Sequence, residues 1–502
     1  MSTFSYQIFD KLRKLLNNSS DLVVKSVGND MAVAYMSCVV QCSELNTHIL
    51  SVLMNQDHRL TLEQVLTVIP IGRSEILPDI DDTAAIMLLQ GRVLIAVSGQ
   101  QGCVMINAAD IPTRQPSNAE NETLMFGTMQ AFIESLDRNV ALMRAFITDP
   151  ALCNEQYAVG ERTRTQACLL YLDDVADHQY VDLVRTRIIN MKSDGVIGSA
   201  QFLQLIQDSG YYLFPMLSLT ERPDRAAQAL LEGKIVVIVE GNSQVIIGPN
   251  SFVDFFVSTE DRFSSWGLGT FYRMIRLIGL FMSVFLTPGY VAALTFHYEI
   301  IPTTLLAPLI ISRSLVPFPP LIETLVLELT MELLREAGAR LPTKVGQTMG
   351  IVGGIVIGQA AVQAGFTSNI LIMLVALAAL GSYTTPNYMM SGAIRFVRFP
   401  IIVFAGLWGV IGIVFMTALI IIHLLKMTSL GRPYMYPIFP FRVKEIWRDM
   451  LVTHDSHFLH KSGFTQNEHT HDEHAHDEQE QGKEHSNQHN NQHQQAKTGV
   501  KE

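Results

Sequence analysis

The chain has 502 residues, of which 48% are hydrophobic and 17% are charged, a balance that points to a membrane protein. Its 36 Lys and Arg residues are outnumbered by 47 Asp and Glu residues, and the net charge of −11 disfavours nucleic-acid binding. The five cysteines form no C-x-x-C pair and no zinc-ligand spacing, which suits a reducing compartment. The N-terminus has no apolar run ahead of a cleavage site, so we expect the first segment to stay in the cytoplasm.

The first half of the chain contains an internal duplication. Residues 82–106 align without gaps with residues 224–248, and the identical positions include Gly91 with Gly233. Each copy predicts a helix, a strand, a tight turn and a second strand. We expect Gly91 and Gly233 to end the two helices, because glycine adopts the positive φ that closes a last helical turn.

This duplication predicts an α/β fold of two related lobes, with β-rich runs near residues 35 and 169 adding a strand to each lobe. We place the first lobe at residues 1–125, a helical linker at 126–150 and the second lobe at 151–262. Two lobes can enclose a ligand cleft. A duplicated interaction scaffold without a ligand is at least as well supported, because no titratable residues cluster in either copy.

The second half, residues 263–450, is predicted to be an α-helical multi-pass membrane domain. Four apolar runs are candidate spans, and we favour four crossings with further membrane-embedded segments; six crossings result if the segments between residues 300 and 336 also enter the bilayer. Pro288 and Gly289 predict a kink or break in the first run. Basic residues flank the region on both sides, so both ends should face the cytoplasm. The four runs are residues 277–296, 345–364, 369–383 and 401–425.

An acidic helix is predicted between the second-half spans, over residues 321–337. At about 100° per residue, Glu328, Glu332 and Glu336 share one face of this helix. In a structural interpretation, an interfacial helix keeps its acids in the headgroups or pairs them with Arg335 and Arg340. In a functional interpretation, the same three acids repeat around an oligomer axis and line a cation pore.

A glycine face follows the acidic helix. Four glycines at strict four-residue spacing leave one side of a helix almost without side chains, which is typical of closely packed membrane helices. These glycines are Gly346, Gly350, Gly354 and Gly358. Further along, Arg395 and Arg398 are interpreted as interfacial anchors before the last span.

The remaining sequence patterns indicate neither catalysis nor a specific binding site. The chain has no phosphate-binding loop, nucleophile elbow or metalloprotease motif, so we predict no enzyme activity, no cofactor and no structural metal site. Residues 451–502 are rich in His, Gln, Asn and Glu and should be disordered. Weak binding of zinc, nickel or copper by the tail histidines is an alternative that the irregular spacing disfavours.

Several long segments resemble the A-subunit family of bacterial spore germinant receptors, and the likeness covers nearly the whole chain. They are VGERTRTQ (159–166), LTERPDRAAQALLEG (219–233), VPFPPLIETLVLELTMELLREAGARLP (316–342) and VGQTMGIVGGIVIGQAAVQAG (345–365). The resemblance implies a protein of the spore inner membrane, with its lobes and tail on the core side. It also implies two partners, a transporter-like B subunit and a lipoprotein C subunit.

The resemblance further implies a homo-oligomer, a pentamer, that forms a nutrient-gated channel for monovalent cations and starts germination. A paralogue that accompanies the dipicolinate-release machinery and amplifies ion release is an alternative within the family. Outside the family, a secondary transporter or a membrane-anchored scaffold remain alternatives. The transporter is disfavoured because the predicted spans show no inverted repeat.

Overall fold

The computed structural model of the chain describes residues 3–442, apart from 29, 42, 44, 56–59, 70–73, 110–129, 342–353, 355 and 357, together with residue 447. Within these residues, the strands of two five-stranded sheets lie in the first half of the chain, and long helices form the second half.

Lobe one is a five-stranded antiparallel sheet with the strand order β1-β2-β4-β5-β3. Helices cover both of its faces, with α1 and α4 on one side and α2 and α3 on the other. A π-helical turn, Leu45–Leu50, leads into α2. Its elements are α1 (Thr3–Leu15), β1 (Leu22–Val27), β2 (Met31–Met36), α2 (Ser51–Met54), α3 (Leu62–Val68), β3 (Ser74–Leu77), α4 (Asp82–Leu89), β4 (Arg92–Val97) and β5 (Cys103–Asn107).

Lobe two is a second antiparallel sheet, with the order β6-β7-β9-β10-β8. Helices α5 and α8 cover one face, and α6 and α7 cover the other. Its elements are α5 (Leu136–Phe146), β6 (Leu152–Val159), β7 (Thr165–Leu172), α6 (His178–Ile189), α7 (Ser199–Ile206), β8 (Ser218–Thr220), α8 (Pro223–Leu231), β9 (Ile235–Val239), β10 (Val245–Gly248) and a 3₁₀ turn (Val253–Phe256).

The two sheets connect their strands in the same order. Counted within each lobe, the neighbours run first, second, fourth, fifth and third. The helices before the fourth strands also end alike, since Gly91 has φ 87° and Gly233 has φ 83°. Their N–H groups donate to the carbonyl oxygens of Leu88 and Leu230, in each case over 3.0 Å.

A buried ion pair joins the lobes across α5. Arg144 of α5 donates to both carboxylate oxygens of Asp21, over 2.8 and 3.0 Å, and both side chains are 1% exposed. Ser19 and Cys38 donate to the same carboxylate. The predicted linker is therefore a packed element, because α5 lies against the sheet of lobe two while its Arg144 holds lobe one.

This ion pair predicts how the lobe contact responds to acid. Burial alone would raise the pKa of Asp21, but the charge and hydrogen bonds of Arg144 outweigh it and lower the pKa. The stabilisation is present above the unfolded pKa, about 3.9, and is lost as the pH falls through the lower folded value. We expect unfolding of the full-length protein by urea to show this loss below pH 4 in the wild type and not in Asp21→Asn. Asp79→Asn is the matched control, because it removes only the exposed pair with Lys11. This variant should still lose stability below pH 4 as the wild type does.

The second half of the described chain is helical, with two helices long and apolar enough to cross a membrane, Trp266–Thr295 and Tyr388–Lys426. The first of them stays helical through Pro288, so the predicted break is absent. The elements are α9 (Glu260–Phe263), α10 (Trp266–Thr295), a 3₁₀ turn (Tyr298–Ile300), α11 (Thr303–Arg313), α12 (Pro320–Arg340), α13 (Asn369–Tyr383), α14 (Tyr388–Lys426), β11 (Thr428–Ser429) and β12 (Arg432–Pro433).

The last helix, α14, is a hairpin. Its 39 residues would extend about 58 Å if straight. Gly409, however, has φ 63° and ψ −139°, which interrupts the helix. The rings of Phe404 and Phe415 then lie 5.8 Å apart, and a Cβ added to Gly412 would lie 2.0 Å from the carbonyl oxygen of Phe404. The chain therefore reverses at Gly409, and the prediction of one span over residues 401–425 is wrong.

The long helices run between the two ends of one bundle, some in each direction. We call the end beside lobe two the junction end and the opposite end, at Gly409, the far end. Helix α10 reaches the far end, where a Cβ on Gly409 would meet Phe296 and His297. Helix α13 runs back along α10, and a Cβ added to Gly381 would lie only 2.4 Å from the carbonyl oxygen of Gly279. Helix α12 also points towards the junction end. Close backbone packing within the chain therefore uses Gly279 and Gly381, two glycines outside the predicted glycine face.

Candidate functional site

The acidic helix forms as predicted, as α12, and each of its four carboxylates has an arginine partner in the described structure. The pairs are Glu323 with Arg313, Glu328 with Arg398, Glu332 with Arg335 and Arg395, and Glu336 with Arg340. Exposure increases along the helix from the far end towards the junction end. The site is therefore a line of paired charges that begins in the packed bundle and ends at its surface.

The pair between Glu328 and Arg398 lies at the middle depth of the bundle. Arg398 is residue 11 of the 21-residue first limb of α14, and its Nη1 donates to the two carboxylate oxygens of Glu328 over 2.7 and 3.0 Å. Its Nη2 donates to Ser283 Oγ on α10 over 2.8 Å. The two charged side chains are 6% and 4% exposed. The Nη2 of Arg398 also donates to the carbonyl oxygen of Ala378 on α13 over 3.4 Å, so Arg398 joins four helices, and its interpretation as an interfacial anchor is wrong.

A fourth acid, Glu323, is buried near the far end, although sequence periodicity puts it off the acidic face. Its Oε1 accepts hydrogen bonds from Thr367 Oγ1 over 3.1 Å and from the Ser368 N–H over 2.8 Å. Ser368 caps α13 and contacts Tyr290 of α10. Glu323 thus fixes the start of α13 against α12. Only the uncommon occurrence of an acid in an apolar helix could have indicated its role from the sequence.

The other two acids are accessible. The side chains of Glu332 and Glu336 are 40% and 57% exposed. Glu332 binds Arg335 and has Arg395 of α14 at 3.5 Å, while Glu336 binds Arg340 at 2.6 Å. These are the partners named in the structural interpretation of the sequence. Of the three predicted pore-lining acids, Glu328 faces the interior of the bundle, and only Glu332 and Glu336 can reach a solvent or a second subunit.

The predicted glycine face is only partly described. Gly346 and Gly350 lie outside the described residues, whereas residues 358–363 are helical. A Cβ added to Gly358 would meet no atom within 4 Å, and one on Gly354 would meet only the Leu334 side chain at 4.0 Å. Among the residues that the structure describes, none packs closely against these two glycines. Their role in helix packing stays a prediction that needs a second chain.

Polar contacts fasten the bundle to lobe two at the junction end. Asp208 accepts hydrogen bonds from the hydroxyl of Thr428 and the N–H of Gly431, which follow the last helix. Ser429 donates to the carbonyl oxygen of Met216 over 2.7 Å. At the start of α10, Arg273 and Arg276 both bind the fully buried Asp261. Lobe two is therefore tied to the residues that follow the last helix and, through the hydrogen bond of Arg276 to the carbonyl oxygen of Phe256, to the start of α10.

The described cysteines are buried or half-buried thiols. Burial raises the pKa of Cys103 to about 12 and that of Cys153 to about 12. Both thiols are therefore protonated at neutral pH, a state in which thiols are poor nucleophiles and metal ligands. Among the described residues, no three His, Cys, Asp or Glu side chains are grouped to hold a metal ion. The histidine-rich tail lies outside the described residues.

Comparison with known proteins places the whole arrangement in one family. Residues 10–462 match the family described as Bacillus/Clostridium GerA spore germination protein. The chain is 40% identical over 452 residues to spore germination protein GerQA of Bacillus cereus, covering 89% of this chain and 90% of that protein. It is also 40% identical to spore germination protein GerIA of Bacillus cereus, over 88% of this chain and 66% of that one.

Among solved structures, the chain is similar to the N-terminal domain of the A subunit of the Bacillus megaterium spore germinant receptor GerK3. It is 24% identical, covers 49% of this chain and 94% of that chain, and has a TM-score of 0.37. The family match extends over the lobes, the helical bundle and the start of the tail. The protein therefore belongs to the Bacillus/Clostridium GerA family of spore germination proteins.

Proposed function

We propose that this protein is the A subunit of a nutrient germinant receptor in bacterial endospores, and that it oligomerises as a pentamer into a nutrient-gated channel for monovalent cations. The observation that carries the proposal is the row of carboxylates on α12, because membrane-embedded acids are costly and are retained where ions pass or charges are exchanged. Membership of a family of spore germination proteins supports the germination role.

The proposed membrane topology has six crossings. Helix α10 and the two limbs of α14 supply three, and α12 and α13 supply two more that point back to the junction end. Helix α12 ends at Arg340, near the junction end. Gly365 lies beside the carbonyl oxygen of Leu315, towards the far end. The predicted span over residues 345–364, which lies partly outside the described residues, stays a prediction and would supply the sixth crossing. An even number leaves the lobes and the C-terminal tail on the same, core-facing side of the spore inner membrane.

In the proposed closed state, arginines neutralise the carboxylates. A cation that enters the path must replace an arginine as the partner of a carboxylate, so opening requires movement of α12 relative to α14, which carries Arg395. The contacts of Asp208 and Asp261 at the junction end would transmit movement of lobe two to these helices. Glu332 is the first candidate for a pore-lining residue, because it is half exposed and has arginines on two helices.

Replacing Glu332 tests this proposal. We expect Glu332→Gln to keep the protein level and lower monovalent-cation release from nutrient-treated spores several-fold, and Glu332→Lys to block release. Ion release is measured by flame photometry of the medium, and immunoblots of spore membranes report the protein level. Glu63→Gln, an exposed acid of lobe one, is the matched control. Wild-type release from both Glu332 variants would remove this residue from the conduction path.

The partners proposed for the receptor are a transporter-like B subunit, the expected nutrient binder, and a lipoprotein C subunit. The open sides of Gly354 and Gly358 are consistent with helix packing between copies in the oligomer. We also infer that the lobes arose by duplication. The shared strand order and the matching φ angles of Gly91 and Gly233 support this origin, and superposition of the two lobes in an experimental structure tests it.

A further inference from the structure

An apolar cavity lies where the helical bundle meets lobe two. Its volume is about 300 Å³, and its walls come from α10, both limbs of α14 and the two lobe-two rings Phe214 and Phe252. Val397 of the first limb, Ile420 of the second and Phe281 of α10 are among its lining residues. The side chain of Phe281 is also 65% exposed, so the cavity has an open side at this helix.

The lining determines which molecules the cavity can hold. Thr417 is the one lining residue with a polar side chain, and its hydroxyl donates to the carbonyl oxygen of Ile413 over 2.7 Å. A water molecule needs two to four polar partners to be held in a cavity, and this wall offers a single hydroxyl whose proton is already donated. A polar ligand would lose its hydration and gain at most one hydrogen bond. The lining therefore favours an apolar ligand.

We propose that this cavity binds one acyl chain of a bilayer phospholipid. The inference rests on the proposed membrane topology, in which α10 and α14 cross the bilayer. The open side at Phe281 then faces the hydrocarbon layer, where acyl chains are the surrounding solvent. A chain inserted here contacts both limbs of the α14 hairpin and the rings of Phe214 and Phe252. Lipid therefore contributes to the contact between lobe two and the bundle.

The test measures lipid that stays bound to the purified full-length protein. The protein is extracted in mild detergent, exchanged through lipid-free detergent and examined by native mass spectrometry. We expect about one phospholipid per chain for the wild type, and at least a fivefold lower occupancy for Val397→Trp and Ile420→Trp, since the larger ring on either wall takes up space that an inserted chain needs. Ile411→Trp places the same indole on a position that is 72% exposed and is expected to keep the lipid.

Three further measurements distinguish a failed topology or a misfolded variant from a cavity without lipid. Extraction of the membranes with alkaline carbonate comes first, because release of the chain would contradict the membrane topology rather than the cavity. Thermal unfolding then identifies any tryptophan variant that fails to fold, and the other variant is used in its place. If both fail, Phe252→Trp, on the lobe-two wall of the cavity, reports the chain by quenching in nanodiscs with acyl-brominated phospholipid. A membrane-retained wild type without bound lipid, equal occupancy in a folded tryptophan variant, or Phe252→Trp quenched no more than the wild type would overturn the proposal.

Discussion

Replacing Arg398 by leucine is expected to destabilise the protein by about 3–5 kcal/mol, the effect of removing one partner of a buried ion pair. The carboxylate of Glu328 would remain inside the bundle without its cation, and Ser283 would lose its donor. The measurement is denaturant unfolding of the purified full-length protein in detergent, followed by tryptophan fluorescence. Levels in spore membranes should fall in parallel.

Two matched variants separate charge from packing. Arg340→Leu removes the partner of Glu336 at the exposed end of the same helix and should cause no resolvable change, since exposed ion pairs contribute little. The double variant Glu328→Leu and Arg398→Leu should recover much of the lost stability, because it leaves no unpaired charge in the bundle. An Arg398→Leu protein as stable as the wild type would show that the pair does not hold the helices together.

Replacing Gly412 by leucine is expected to prevent accumulation of the protein in the membrane. Even the first carbon of the side chain would lie 2.0 Å from the carbonyl oxygen of Phe404, a backbone atom that cannot move aside without opening the hairpin. Gly409→Val should act in the same direction, because its φ of 63° is strained for a β-branched residue. Immunoblots of membrane fractions measure the loss.

The control for this prediction is Gly289→Ala, a helical glycine of α10 whose added Cβ would meet no atom within 4 Å. It should accumulate normally. Single cysteines at Tyr388 and Lys426, labelled from each side of the membrane, test the hairpin directly, because the two limbs return the chain to the same side. Labelling of the two positions from opposite sides, together with normal levels of Gly412→Leu, would contradict the reversal at Gly409.

Local features of this protein could be read from its sequence. The strand-forming runs, the acidic face of α12 and the positive φ of Gly91 and Gly233 depend on residues within one or two helical turns, so short-range periodicity and backbone freedom determine them. The same holds for the pairs of Glu332 with Arg335 and of Glu336 with Arg340, which lie three and four residues apart. Length and apolar composition also indicated the membrane half.

The tertiary structure decided what depends on distant parts of the chain. Glu328 and Arg398 are 70 residues apart, and Glu323 meets a loop 44 residues away, so only helix packing brings these groups together. The reversal at Gly409 was equally hidden, because the residues around it are apolar and read as one continuous span. A single glycine with positive φ reverses the chain here. A hydropathy profile contains no information about backbone dihedral angles, so it could not predict this reversal. Sequence therefore determined which residues carry charge, and packing determined which of those charges are buried against each other.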